Sequence, residues 1–240
     1  MFVVGSPRSG TTFLAGAIGA LPGFVDLGEV LPLKSSVPVL VGLPPDEAAS
    51  RIRRTLERVR TLALVRGLRG VEQTPEMAFL VQAAAEAYPH ARRIHLVRDG
   101  RDVVCSLLER GWLNASRDRQ ADDVGGTYGG HARFWVEPDR AREFAEASDA
   151  TRAAWAWRRY VGAAREGDVI EVRYEELAAA PERVAASLAE CLEVEPQTLA
   201  VALSRVHARS VGRYRRELTS DQLREVEREA GDLLAKLGYA

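Results

Sequence analysis

The chain has 240 residues, of which 46% are hydrophobic and 28% charged, and its formal net charge is -1. That is long enough for one α/β domain with a full core, and the balance excludes a disordered chain and any global attraction to nucleic acid or membrane. Lysine occurs only at Lys34 and Lys236, the remaining basic residues being arginine, which suits oxyanion contacts and equally suits a GC-rich genome. Cys105 and Cys191 lie far apart within helical patterns and are expected to be buried free thiols in a reducing compartment. No metal-ligand spacing occurs, the first residues run directly into an apolar strand with no room for a secretory leader, and no apolar run reaches membrane-spanning length. The expectation is a cytoplasmic protein without a metal.

Short apolar runs alternate with longer helical patterns, which predicts a parallel sheet of βαβ units. Phe2, Val3 and Val4 read as a buried first strand, followed by a Gly-rich loop from Gly5 to Gly10 and a helix over about 11 to 20. Residues 24 to 34 read as irregular, 45 to 65 as an Arg-rich helix, and Arg69 to Glu72 as a short strand. Met77, Leu80, Val81 and Ala84 recur at helical spacing and predict a helix from Glu76 to Tyr88. Ile94 to Val97 is the next buried strand, with a helix over Arg101 to Arg110 after it. Residues 111 to 148 are too long and too rich in Gly, Asp and Arg for an ordinary connection and read as a lid, with Gly pairs at 125–126 and 129–130 as hinges. A Trp-containing helix over Asp149 to Ala164, a strand over Val169 to Val172, helices around 181 to 204 and a terminal helix from Ser220 to Leu237 complete the pattern. The expected fold is a P-loop-type three-layer α/β domain spanning 1–240, a central parallel sheet flanked by helices with an inserted lid.

Gly5 and Gly10 have the spacing of a phosphate-binding loop, G-x-x-x-x-G, placed between a strand and a helix. Thr11 stands where a nucleoside triphosphatase has lysine, and the cation sits inside the loop, at Arg8. Arginine offers planar bidentate geometry to phosphate or sulfate oxygens. Thr11 and Thr12 open the helix, where orphan N–H groups and the dipole favour an anion. Arg98 ends a later strand, and Ser106 lies about two turns into the helix that follows. Ligands of open parallel sheets bind beyond the carboxyl ends of the strands, so both residues can address one phosphate. Taken alone, a surface ion pair of Arg98 with Asp99 or Asp102 and a packing role for Ser106 narrowly outweigh the phosphate reading.

Together these motifs resemble the 3′-phosphoadenosine 5′-phosphosulfate (PAPS) dependent sulfotransferases. The family's loop P-[KR]-S-G-T-T is matched by Pro7, Arg8, Ser9, Gly10, Thr11 and Thr12, preceded by Ser6, and the resemblance implies that it grips the 5′-phosphosulfate. It likewise implies that Arg98 and Ser106 grip the 3′-phosphate. The family's V-x-Y-E-x-L is matched by Val172, Arg173, Tyr174, Glu175, Glu176 and Leu177, which puts Tyr174 near the adenosine. Ser210, Val211, Gly212, Arg213 and Tyr214 look like the C-terminal basic loop that closes over the 3′ side.

The activity so implied is in-line transfer of a sulfuryl group from PAPS to a hydroxyl or amine, leaving PAP. No metal is required, because Arg8, the loop N–H groups and the Thr11 and Thr12 hydroxyls meet the charge on the leaving phosphate. The acceptor must lose a proton, and Glu29 is the first candidate base, since a glutamate after the first helix serves so in the tyrosylprotein and glycan branches. The K-[TS]-H segment of the cytosolic phenol and steroid branch is absent. Glu72 is the reserve base. Many bacterial relatives read E-K-[ST]-P where this chain has Glu72, Gln73, Thr74 and Pro75, which leaves Lys34 or Arg8 to compensate for the missing lysine.

The acceptor pocket is expected from the lid together with Phe24 to Leu40. Trp112, Tyr128, Phe134 and Trp135 are candidates to stack on a ring, and Arg117, Arg119 and Arg133 to attract an acidic acceptor. His131 lies in the lid, and His90, His95 and His207 are assigned structural roles. Partners are a small-molecule or glycan acceptor in a bacterium, with peptide tyrosine as a further option, and no nucleic acid; the oligomeric state is not legible. Two rivals stand beside this reading: a P-loop small-molecule kinase or nucleoside triphosphatase with Asp99 as its metal-holding acid, and a non-catalytic nucleotide-binding relative.

Overall fold

The computed structural model describes residues 1–113 and 133–239. Five strands, β1 (Phe2–Val4), β2 (Phe24–Gly28), β3 (Arg69–Glu72), β4 (Arg93–Val97) and β5 (Ile170–Arg173), form one parallel sheet in the order β2-β3-β1-β4-β5. β1 is central and wholly buried, as an apolar strand covered on both faces must be. Phe2 opposes Glu72 of β3, and Val3 and Val4 oppose Ile94 and His95 of β4. The strand order reverses at β1, which makes the crevice beyond its carboxyl end the natural ligand position.

α1 (Thr11–Gly19), the short α2 (Leu31–Lys34) and α3 (Val37–Leu40), and the long α4 (Pro45–Leu62) precede β3. α5 (Val81–Ala87) and α6 (Gly100–Arg110) follow β3 and β4, and α7 (Ala141–Glu146) and α8 (Asp149–Ala164) lead into β5. α9 (Tyr174–Ala179), α10 (Pro181–Leu192), α11 (Pro196–Leu203), α12 (Tyr214–Glu217) and α13 (Ser220–Lys236) follow. Alternate residues of β1 face opposite layers, as the strand period of two requires. Val3 packs with Leu14, Ile18, Leu188 and Leu199 on one side; Phe2 and Val4 pack with Ile52, Trp157, Val161 and Val226 on the other.

The segment 24–34, expected to be irregular, is a strand followed by a helix. β2 pairs with β3 from Phe24 opposite Arg69 to Gly28 opposite Glu72, with a bulge between Asp26 and Gly28. It lies at the sheet edge, half-exposed and carrying Asp26, so it lacks the apolar run of a central strand. The helix expected over 76–88 starts as a 3-10 turn, Pro75–Leu80, and only then becomes α5. Residues 133–148, the described end of the expected lid, pack against α8: Trp135 and Phe144 are buried and meet edge-to-face with centroids 5.4 Å apart, and the Trp155 indole donates to Glu137. Arg117, Arg119, Thr127, Tyr128, His131 and both Gly pairs lie outside the described residues. Cys105 is buried, Cys191 half-buried, and both are free thiols. Among the described residues no helix is long and apolar enough to cross a membrane.

Candidate active site

β1 delivers the chain to Gly5, which passes so close to β4 that a Cβ would stand 2.5 Å from the Leu96 carbonyl oxygen. The loop then turns on itself: the Ser9 amide donates to the Ser6 carbonyl at 3.1 Å, and Arg8 and Gly10 take φ values of 70° and 97°. For Arg8 that is a strained conformation, of the kind found where a loop is shaped by function. Gly10 is tolerated there and is also required for space, because a Cβ would lie 2.9 Å from the Tyr174 ring. It caps α1 without a side-chain acceptor, and no acidic residue occupies the first turn. The first-turn N–H groups thus face the crevice with the positive end of the helix dipole behind them. Ser6, Ser9 and Thr11 are buried, while Thr12 is exposed and its hydroxyl donates to Gln73 Oε1 at 3.3 Å.

The second group of expected anion ligands converges on this loop. Arg8 Nε donates to Ser106 Oγ at 2.9 Å, Arg98 Nη1 to the Arg8 carbonyl at 3.2 Å, and Arg98 Nη2 to the Ser210 carbonyl at 2.6 Å. The Arg98 guanidinium lies 4.7 Å from the centroid of the Tyr174 ring, whose hydroxyl donates to the His207 carbonyl at 2.9 Å. Ser9 Oγ and Arg98 Nε are both buried and have no hydrogen-bond partner among the described residues. Buried polar atoms are almost always satisfied, so each expected phosphate position holds a group suited to an anionic ligand.

Sequence reasoning offered Asp102 only as a surface ion-pair partner of Arg98 and missed what it holds in place. Asp102, fully buried, accepts from the Gly212 amide at 2.7 Å and the Tyr214 amide at 3.1 Å, and lies 3.9 Å from Arg98. Burial pushes its carboxyl above the usual range. The Trp157 indole donates to the Arg98 carbonyl at 3.0 Å and fills the space where a Cβ on Gly100 would stand. Arg213 turns instead to Glu109 at 3.0 Å and Glu217 at 2.6 Å, two carboxylates that hold its charge firmly. Asp99 caps α6 through the Arg101 amide and grips the Arg101 guanidinium with both oxygens, at 2.9 and 2.8 Å.

The carboxylates gather where β2 and β3 end. Glu29 follows Gly28, and its Oε2 lies 2.8 Å from Lys34 Nζ; Lys34, 1% exposed, also lies 3.6 Å from Glu76 Oε1. Tyr160 donates to Glu76 at 3.4 Å, and Glu76, Tyr160, Trp112 and Trp135 line a small cavity with Pro7 of the loop. The Arg8 guanidinium stands 5.2 Å from the Trp112 ring. Arg133 is buried and donates to the Trp112 carbonyl at 3.2 Å. Glu72 is buried and accepts from the Thr74 amide at 2.9 Å. Burial pushes its carboxyl up to about 7, against the opposing hydrogen bonds of Thr74. Its carboxyl borders a second cavity with Met1, Phe2, Tyr88 and Arg92, toward the amino ends of the strands, whereas Glu29 keeps 15% of its side chain exposed.

A family model described as Sulfotransferase family matches residues 44–198, a span that contains Glu72, Arg98, Ser106 and Tyr174 but begins after the glycine loop. A comparison with curated protein sequences returned no match. Among solved structures, a sulfotransferase from Alicyclobacillus acidocaldarius superposes with a TM-score of 0.55 at 19% identity, over 98% of this chain and 92% of that one. Sulfotransferase STF9 from Mycobacterium avium gives 0.57 at 14% identity over 98% and 76%. Mouse sulfotransferase SULT7A1, complexed with PAP, gives 0.53 at 16% identity over 100% and 88%. At such identities the superpositions speak for the fold, a P-loop-type α/β sheet, and the family match covers well over half of the sequence: the chain belongs to the sulfotransferase family.

Proposed function

We propose that this protein transfers a sulfuryl group from PAPS to a hydroxyl or amine of a small molecule or glycan, releasing PAP, with Glu29 as general base and without a metal ion. The observation that carries the reading is the junction of Arg8, Ser106 and Arg98, which ties the glycine loop to the end of β4. The loop and the end of β4 bring two guanidinium groups to one crevice, which suits a ligand carrying more than one phosphate group. The PAP bound in mouse SULT7A1, which shares the fold, agrees with this donor.

PAPS supplies the activated sulfuryl group. Arg8 and the first-turn N–H groups of α1 stabilise negative charge as it grows on the departing 5′-phosphate, which lets the chain itself provide the cation. Arg98 and Ser106 hold the 3′-phosphate, and Tyr174 fixes the Arg98 plane. Glu29 takes the acceptor's proton while the new S–O or S–N bond forms and the S–O bond to the 5′-phosphate of PAPS breaks, PAP keeping that oxygen and the electron pair. Glu72, more deeply buried and engaged by Thr74, braces the turn that carries Gln73 and Pro75 rather than reaching the acceptor.

The kinase reading is weaker because Asp99, its metal-holding acid, is spent on capping α6 and on Arg101. Titration calorimetry decides: PAP binds without magnesium, and ATP does not compete with or without it. Labelled PAPS offered with a panel of hydroxylated and amino acceptors then yields a labelled product. Glu29→Gln abolishes turnover and leaves PAP affinity intact. No heat with PAP, or magnesium-dependent ATP binding, overturns the donor assignment; PAP binding with no transfer to any acceptor leaves the non-catalytic relative.

A further inference from the structure

We infer that Lys34 and Glu76 are positioning residues for the proton-accepting end of the site: Glu29, Lys34 and Glu76 form a buried carboxylate–ammonium–carboxylate row that aims one oxygen of Glu29 and absorbs the charge of an arriving proton. The inference rests on Glu29 being the base.

The geometry supplies the row. Lys34 Nζ sits between Glu29 Oε2 at 2.8 Å and Glu76 Oε1 at 3.6 Å, with the lysine and Glu76 side chains 1% and 2% exposed. An ammonium so deeply buried is stable only if paired, and two carboxylates do that. The ion pair fixes Oε2 of Glu29, whose side chain keeps 15% of its surface exposed. With both carboxylates ionised the row carries one negative charge; with a proton on Glu29 it is neutral, and the Lys34–Glu76 pair remains intact. Lys34 and Glu76 act on the Glu29 carboxylate with opposite signs, the ammonium attracting its charge and the second carboxylate repelling it.

Other elements among the described residues also face this row. α4 packs on this region with Ala48, Ala49 and Ile52, β3 brings Glu72, and α8 brings Tyr160, whose hydroxyl holds Glu76. The choice of cation is also informative. In a chain whose other basic residues are arginine save Lys236, the position between the two carboxylates has a compact point charge instead of a planar fork. Lys34 turns toward Glu29 and Glu76.

Two lysines make the test direct. Protein labelled with 13C at lysine Cε gives two signals, and Lys34→Met identifies the buried one. On acidification the Lys34 signal shows a step that disappears in Glu29→Gln and moves to lower pH in Glu76→Gln, while Lys236 shows neither. In protein labelled at glutamate Cδ, the Glu29 step moves to higher pH in Lys34→Met and returns in Lys34→Arg. With PAPS and the acceptor identified by the transfer panel, Lys34→Met lowers kcat by roughly tenfold or more with KM for PAPS within about threefold. A Lys34 signal indifferent to Glu29→Gln, or a Glu29 step that Lys34→Met leaves in place, overturns the inference. Neither result depends on turnover, whereas failure of the wild type to bind PAP or transfer the label strikes the sulfotransfer reading instead.

Discussion

At the end assigned to the donor, guanidinium groups, backbone amides and a helix terminus surround the crevice; at the end assigned to the base, Glu29 and Glu76 flank a single buried ammonium, with Glu72 held by the Thr74 turn nearby. The first arrangement is held by strain and clamps, with φ of 70° at Arg8 and Asp102 gripping two amides of the closing loop. The second is held by burial and by the ammonium–carboxylate pairs of Lys34, and burial raises the Glu72 carboxyl. A positive end suits a substrate of high negative charge, and a carboxylate end suits a group that must give up a proton. The contrast also divides the experiments: ligand affinity reports on the donor end, and pH on the base end.

The largest effect is expected at Arg98, which meets Arg8, Ser210 and the Tyr174 ring at once. Arg98→Ala should cost roughly 4 kcal/mol of PAP binding, about a thousandfold, because a buried phosphate loses its charge-assisted partner. Calorimetry that finds less than a tenfold loss breaks the assignment of this end to the 3′-phosphate.

At the base end Glu72 should govern stability against pH. Its carboxyl is raised from 4.5 to about 7, so between these values the folded protein holds a proton that the unfolded chain has released. Stability should therefore be full below the lower value, decline by at most roughly 3 kcal/mol as pH rises through the window, and level off above it. Urea midpoints across this range should fall for the wild type and stay flatter in Glu72→Gln. Parallel slopes in the two proteins would show that burial of Glu72 is not the cause.

Gly10→Ala comes next. It forces a Cβ onto the Tyr174 ring at a φ of 97°, and a loss of about 2 kcal/mol in unfolding free energy is expected. An unchanged melting temperature would mean that the loop relaxes freely. Arg213→Ala should matter least: its ion pairs to Glu109 and Glu217 lie at the surface, so PAP affinity should change by less than about threefold. A larger loss would return Arg213 to the phosphate site that the resemblance implied.

What was legible in the sequence follows the same division. The glycine loop, Arg98 with Ser106, and Tyr174 each belong to a strand end and the helix after it, where spacing along the chain fixes spacing in space. β2 escaped because an edge strand with Asp26 and a bulge has no apolar signature. Glu29 was singled out by resemblance rather than by pattern, and Glu76 was passed over because its meeting with Lys34 joins residues that only the sheet order brings together. Trp135 read as a ring for stacking; composition says nothing of its burial against Phe144, though it does line the small cavity at Pro7. Asp102 had a faint signal, an aspartate one turn beyond Arg98, but its partners Gly212 and Tyr214 lie far along the chain.

The contact of Gly10 with the Tyr174 ring binds the first strand's loop to the last strand's end. Any lineage that lets position 10 acquire a side chain must first shrink the residue at 174, and any that enlarges 174 must keep 10 bare. The two sites are thus free to drift only as a pair, although 163 residues separate them in the sequence.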